Sequence, residues 1–272
     1  MDWSKIKNIF IISFLILDLY LIYGFIKVVE SNEYDVKTEP EFSFEALLKT
    51  QEIEYITLPK TNVEDFYLTA EPKIFTIEDT KTSILSNQMV TIQGDTQLDS
   101  ILKEPLAITE KSGQEELNQF IKDNVLYGDQ YHFWKRSSDG STIIYTQQYK
   151  GKNLFENQMA QLIFYVNDSN EVYSYTQTFL EDMKELKNPK KIIQPIKAIE
   201  TLFSKGELPP KSKITEVELG YFTFAPLPDT RQVLNPAWCF TVEGKGKLYV
   251  SAFEGDIIVP ELNPTTQKKV ME

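Results

Sequence analysis

Residues 112–136 read SGQEELNQFIKDNVLYGDQYHFWKR, and the fold class turns on them. Ser112 and Glu115 make an S-x-x-E capping box. Leu117, Phe120, Ile121 and Val125 then fall on one helical stripe, and Gly128 supplies a stop. Residues 131–136, YHFWKR, form a short aromatic run, which is the pattern of a strand. A second strand, 142–149 (TIIYTQQY), follows the turn Ser138-Asp139-Gly140. A helix feeding an antiparallel hairpin predicts an α+β arrangement in which the helix covers one sheet face.

Toward the C-terminus the pattern continues and then recurs. Strands 160–166 and 171–179 flank a second turn at Asn167-Asp168-Ser169-Asn170. Pro195 suits a helix start, Ile196, Ile199, Leu202 and Phe203 form its stripe, and Gly206 its stop. Strands are expected at 213–224, 237–243, 247–253 and 257–259, with turns at Gly244-Lys245-Gly246 and Glu254-Gly255-Asp256. The sequence thus predicts repeated units of a helix plus an antiparallel sheet, 111–189 and 190–260, followed by a frayed tail, 261–272. Toward the N-terminus, 43–110 reads as β-rich. It holds a short helix on Phe44, Leu47 and Leu48 with Ser43 as N-cap, and strands at 54–58, 66–70, 74–77 and 88–92. The remainder of 78–105 shows no clear period. Residues 28–42 are acidic and poor in aliphatics, as a linker is.

Residues 9–26 (IFIISFLILDLYLIYGFI) form an apolar run interrupted strongly only by Ser13 and Asp18. Its 18 residues reach about 27 Å as a helix, close to the hydrocarbon thickness of a bilayer. The run is too long for a signal peptide and no A-x-A site follows it. Residues 1–27 are therefore expected to be a cytoplasmic stub and a single transmembrane anchor. Lys5 and Lys7 before the run place the N-terminus in the cytoplasm and residues 28–272 outside. Trp3 and Tyr23 suit the two interfaces. Asp18, at mid-span, is costly in lipid, and such residues tend to face a partner. Ile11, Phe14, Leu15, Leu21, Ile22 and Phe25 share its face and complete a candidate contact with another transmembrane helix.

The chain carries a net charge of −12. Residues 1–27 hold three lysines against two aspartates, which leaves −13 on the remainder. That surface repels nucleic acid. One cysteine, Cys239, permits no internal disulfide, and with one histidine, His132, no zinc-ligand spacing exists. Both read as strand residues. No P-loop, G-x-S-x-G or G-x-G-x-x-G occurs. Glu115-Glu116 belongs to a helix's first turn, and Asp182 with Glu185 to a charged loop; neither pair signals glycoside chemistry. No catalytic residue, metal or cofactor is expected, and the chain reads as a non-enzyme.

The opening MDWSKIKNIFIISFLILDLYLIYGF, the stretch QPIKAIETLF and the closing NPAWCFTVEGKGKLYVSAFEGDII resemble the YycI (WalI) family of membrane-anchored accessory proteins. The closing stretch also looks like PepSY-type modules, with a P-x-W strand, a short turn and a strand ending in small-x-x-G. The resemblance implies a regulator of the sensor histidine kinase YycG (WalK), which controls cell-wall metabolism through its response regulator. It implies contact with the kinase through the transmembrane helix, and with a similar partner, YycH, through the exterior domain and helix. It supplies no catalytic residues. The PepSY likeness implies an alternative, an extracytoplasmic binding module that inhibits a protease or senses a cell-wall ligand.

Overall fold

The computed structural model describes residues 3–32, 44–60, 64–108, 113–223 and 231–260. The caps expected at Ser43 and Ser112, most of the linker and the tail 261–272 lie outside the described residues. The chain forms two compact units, Met1–Thr50 and Gln51–Glu272.

The first unit holds α1 (Trp3–Asn32) and α2 (Phe44–Thr50). Helix α1 runs past the apolar stretch through residues 28–32, which the sequence assigns to a linker. Among the described residues, no helix is long and apolar enough to cross a membrane.

The second unit is α+β and dominated by sheet. It opens with β1 (Glu54–Tyr55), β2 (Glu64–Asp65), β3 (Leu68–Pro72), one helical turn α3 (Ile77–Thr80), and the hairpin β4 (Gln88–Gln93) and β5 (Gln97–Ala107). Helix α4 (Gly113–Asn124) precedes β6 (Tyr131–Arg136), β7 (Thr142–Tyr149), β8 (Lys152–Phe155), β9 (Gln161–Val166), β10 (Glu171–Gln177) and β11 (Leu180–Glu185). After β12 (Lys190–Lys191), α5 (Pro195–Ser204) precedes β13 (Lys213–Phe222), β14 (Gln232–Val242), β15 (Gly246–Ser251) and β16 (Ile257–Ile258).

Each long helix of this unit is followed by antiparallel strands paired in chain order: β6-β7-β9-β10 after α4, and β13-β14-β15-β16 after α5. The hairpin β4-β5 extends the first set beyond β10. Strand β8 joins the sets, pairing antiparallel with β7 and parallel with β13. Strand β3 lies between β11 and β14. Two short parallel ladders, β8 with β13 and β1 with β13, therefore break the expected antiparallel rule. Gly220 makes the first one sterically possible. A Cβ there would fall 2.4 Å from both the Asn153 carbonyl oxygen and the Phe155 ring.

Helix α4 buries Leu117 and Ile121, and Val125 follows just past its end. They pack with Leu98, Leu162, Phe164 and Val172 of the sheet. Helix α5 buries Ala198, Ile199 and Leu202 and lies against β15. Four local expectations need correction. Residues 74–77 are not a strand, because Thr76 caps α3 in a reciprocal box with Asp79. Gly128 does not end α4. The helix stops at Asn124, Tyr127 takes the left-handed conformation, and Gly128 is required because a Cβ would lie 2.0 Å from the Ile121 carbonyl oxygen. Asp182 and Glu185 lie in strand β11, not a loop, and Asp182 sits at a register shift with positive φ. The strand expected over 171–179 ends as β10 at Gln177, and Thr178 and Phe179 lie between it and β11.

Candidate functional site

Helix α1 carries every residue of the expected partner face. At about 100° per residue, Ile11, Phe14, Leu15, Leu21, Ile22 and Phe25 lie within about 60° of Asp18 around the axis. Asp18 and the first five apolar residues are exposed; the side chain of Phe25 lies outside the described residues. The other sides of the helix are apolar and exposed too, with Phe10, Ile12, Ile16, Leu17 and Leu19. An apolar surface on all sides is what a soluble amphipathic helix lacks.

The second unit holds a polar cleft of about 500 Å³. One wall is the polar stripe of α4, where Gln114, Asn118 and Lys122 recur every four residues. The edge strand β6 contributes His132 and Phe133. The turn Lys150-Gly151, with positive φ at both residues, folds β8 back on β7 and sets Gln148 opposite Asn153. Glu218 reaches the cleft from β13. These groups are ordered by each other. Gln148 Nε2 donates to Asn153 Oδ1 at 2.8 Å, and Asn153 Nδ2 donates to Glu218 Oε2 at 3.3 Å. On the helix side, Tyr145 Oη donates to Asn118 Oδ1 at 2.7 Å. Burial, and then the nearby Glu216 carboxylate, push the Glu218 carboxyl above the usual range. Phe133 packs edge-on against Tyr145 at 5.8 Å, yet remains 40% exposed.

A second polar centre lies where β6 meets β15. Glu156 accepts from Lys135 Nζ at 2.9 Å, Tyr249 Oη at 3.0 Å and Trp134 Nε1 at 3.2 Å. Burial pushes its carboxyl up, but the Lys135 charge and these three donors outweigh that and hold it below the usual range. Cys239 lies close by in β14, buried among Trp134, Phe155, Phe222 and Tyr249, and burial pushes its thiol up.

The structure thus places His132 in the cleft and Cys239 in the core, and does not bring them together. Among the described residues, no three His, Cys, Asp or Glu side chains are grouped to hold a metal ion. The cleft residues on α4, β7, β8 and β13 were not singled out from the sequence. The stripe of Gln114, Asn118 and Lys122 was the one signal there, and it resembles any solvated helix face.

The family model described as "YycI protein" matches residues 32–253. No curated protein matches the chain. Among solved structures, the chain is similar to an uncharacterized protein from Eubacterium rectale, with 9% identity and a TM-score of 0.49, over 80% of this chain and 99% of that one. The C-terminal domain of Bacillus megaterium YpeB gives 13% identity and a TM-score of 0.41, over 68% and 96%. YycH from Bacillus subtilis gives 12% identity and a TM-score of 0.43, over 72% of this chain and 54% of YycH.

Proposed function

The chain belongs to the YycI family, and from that premise we propose that it is a membrane-anchored regulator of a sensor histidine kinase controlling cell-wall metabolism. It acts by contact and not by catalysis. The observation that carries this is the family match, which spans residues 32–253 and so covers nearly all of the folded second unit. In this reading α1 is a single-pass anchor with its N-terminus in the cytoplasm and the second unit outside. The apolar, exposed sides of α1 support the anchor. Asp18 and its face are the contact with the helices of a YycG-like kinase, since a carboxyl group in lipid favours a partner that hydrogen-bonds it. A YycH-like protein binds through the exterior unit and the helix.

Two experiments test the proposal. Protease added to intact, wall-stripped cells is expected to remove the exterior unit; protection of that unit with cleavage of an N-terminal tag overturns the orientation. Purification of the full chain from membranes in mild detergent is expected to bring a sensor kinase and a YycH-like protein with it. Recovery of an exported protease in place of a kinase overturns the adaptor in favour of an inhibitory PepSY-like module.

A further inference from the structure

We propose that the cleft between α4 and β6 is a binding site for an uncharged oligosaccharide. The inference does not depend on the kinase reading or on the anchor. It rests on the chemistry that the cleft gathers. Four carboxamides line it, Gln114, Asn118, Gln148 and Asn153. A carboxamide presents both donor and acceptor, which matches a sugar hydroxyl or acetamido group, each of which also does both. The volume of about 500 Å³ lies within the range of small-ligand sites.

The charges exclude the main competing class. Among the described residues of the lining, Lys122 is the one lysine or arginine, against Asp129 and Glu218. A phosphate or carboxylate ligand needs cations or clustered N–H donors, and here it would meet two carboxyl groups. Phe133 adds the apolar element, because its exposed ring can lie against the C–H face of a pyranose. The floor is preorganised. The chain from Gln148 through Asn153 to Glu218 fixes three polar groups before any ligand arrives, which lowers the ordering cost of binding.

The test is calorimetric titration of the full chain in lipid nanodiscs. Alkyl-maltoside micelles are avoided because the maltoside headgroup is itself an oligosaccharide. Two ligands are titrated, an N-acetylglucosamine trimer and a glucose trimer, with inorganic phosphate as competitor. Saturable binding of at least one trimer is expected at a Kd of about 1 mM or tighter. The trimer preferred shows whether the carboxamides read acetamido groups or hydroxyls. Phe133→Ala is expected to weaken binding about tenfold. Because Phe133 also touches Tyr145, the exposed Gln114→Ala is the second variant, expected to weaken binding a few-fold with an unchanged melting temperature. The proposal is overturned by no saturable heat for either trimer up to about 10 mM, by equal affinity in wild type and both variants, or by displacement of the trimer with phosphate.

Discussion

The region around α5 and the region around α4 bury their sheets differently. Beside α5, strand β14 runs between β13 and β15, and Pro236, Ala237, Trp238, Cys239 and Phe240 are buried in succession. Both of its faces are covered. Beside α4, strand β5 alternates. Leu98, Ser100 and Leu102 point into the core while Ile101 and Lys103 are exposed. At the other end of that sheet, β6 is an edge strand bordering the polar cleft. The difference teaches where each part of the unit spends its side chains. Strand β14 uses nearly all of its side chains in packing, whereas the α4 region holds ordered polar groups along its cleft.

The largest expected effects test whether the openness of the α4 region is confined to its cleft. Trp238 is fully buried, and its Nε1 donates to the Ile193 carbonyl oxygen at 3.0 Å. Trp238→Ala should cost about 3–5 kcal/mol in chemical denaturation. Phe164, fully buried beneath α4 and in ring contact with Phe120, Tyr145 and Tyr175, should cost about the same on truncation to alanine. A loss for Phe164→Ala of less than about 1 kcal/mol would mean that the whole region is loosely packed, and the contrast drawn above would fail.

Intermediate effects come from two carboxyl groups with opposite pH signatures. Glu156→Gln should destabilise by about 1–3 kcal/mol, because it removes the charge that Lys135 pairs with and weakens the bonds from Trp134 and Tyr249. Its folded pKa is depressed, so its stabilisation is present above the ordinary glutamate value, about pH 4–5, and is lost as pH falls through the folded value. Glu218 has the reverse sign. Its folded pKa is raised, so the folded state holds the proton more tightly, and stability falls as pH climbs from the ordinary value through the raised one. Denaturation midpoints across pH 3–8, measured for wild type, Glu156→Gln and Glu218→Gln, check both slopes. Each variant should flatten its own limb and leave the other. The smallest effect belongs to His132→Gln. This exposed edge residue should change stability by no more than about 0.5 kcal/mol.

The contrast also explains what was legible in the sequence. The stripes Leu117-Ile121-Val125 and Ile199-Leu202 identified both long helices of the second unit, and runs such as AWCFTV identified β14, because aromatic and β-branched residues crowd a covered strand. Strand β5 is not legible as a strand in the sequence because its inward row contains Ser100. That hydroxyl is satisfied by Gln88 on β4, whose Nε2 in turn donates to the Asn124 carbonyl oxygen at the end of α4. A polar pair buried by mutual hydrogen bonds erases the alternation on which a period-2 reading depends. Strand β8 was hidden for another reason. Its four residues pair with β7 through the tight turn Lys150-Gly151 on one side and with the parallel partner β13 on the other, and no local pattern announces the second partner. The cleft was illegible because its polar groups come from α4, β6, β7, β8 and β13 and meet only in the folded chain.

The kinase contact assigned to α1 in the adaptor proposal stands or falls on its Asp18 face. A photocrosslinking residue placed in turn at positions 11, 14, 15, 21, 22 and 25 reports contact with the kinase helices, in the wild-type chain and in Asp18→Leu. If Asp18 bridges helices, the variant inserts and its second unit folds, but association weakens by about 1–2 kcal/mol, roughly five- to thirtyfold, and crosslinking falls on this face. Equal crosslinking at all six positions in both proteins would contradict the account. In that case α1 is a tether, and regulation must come from the second unit alone.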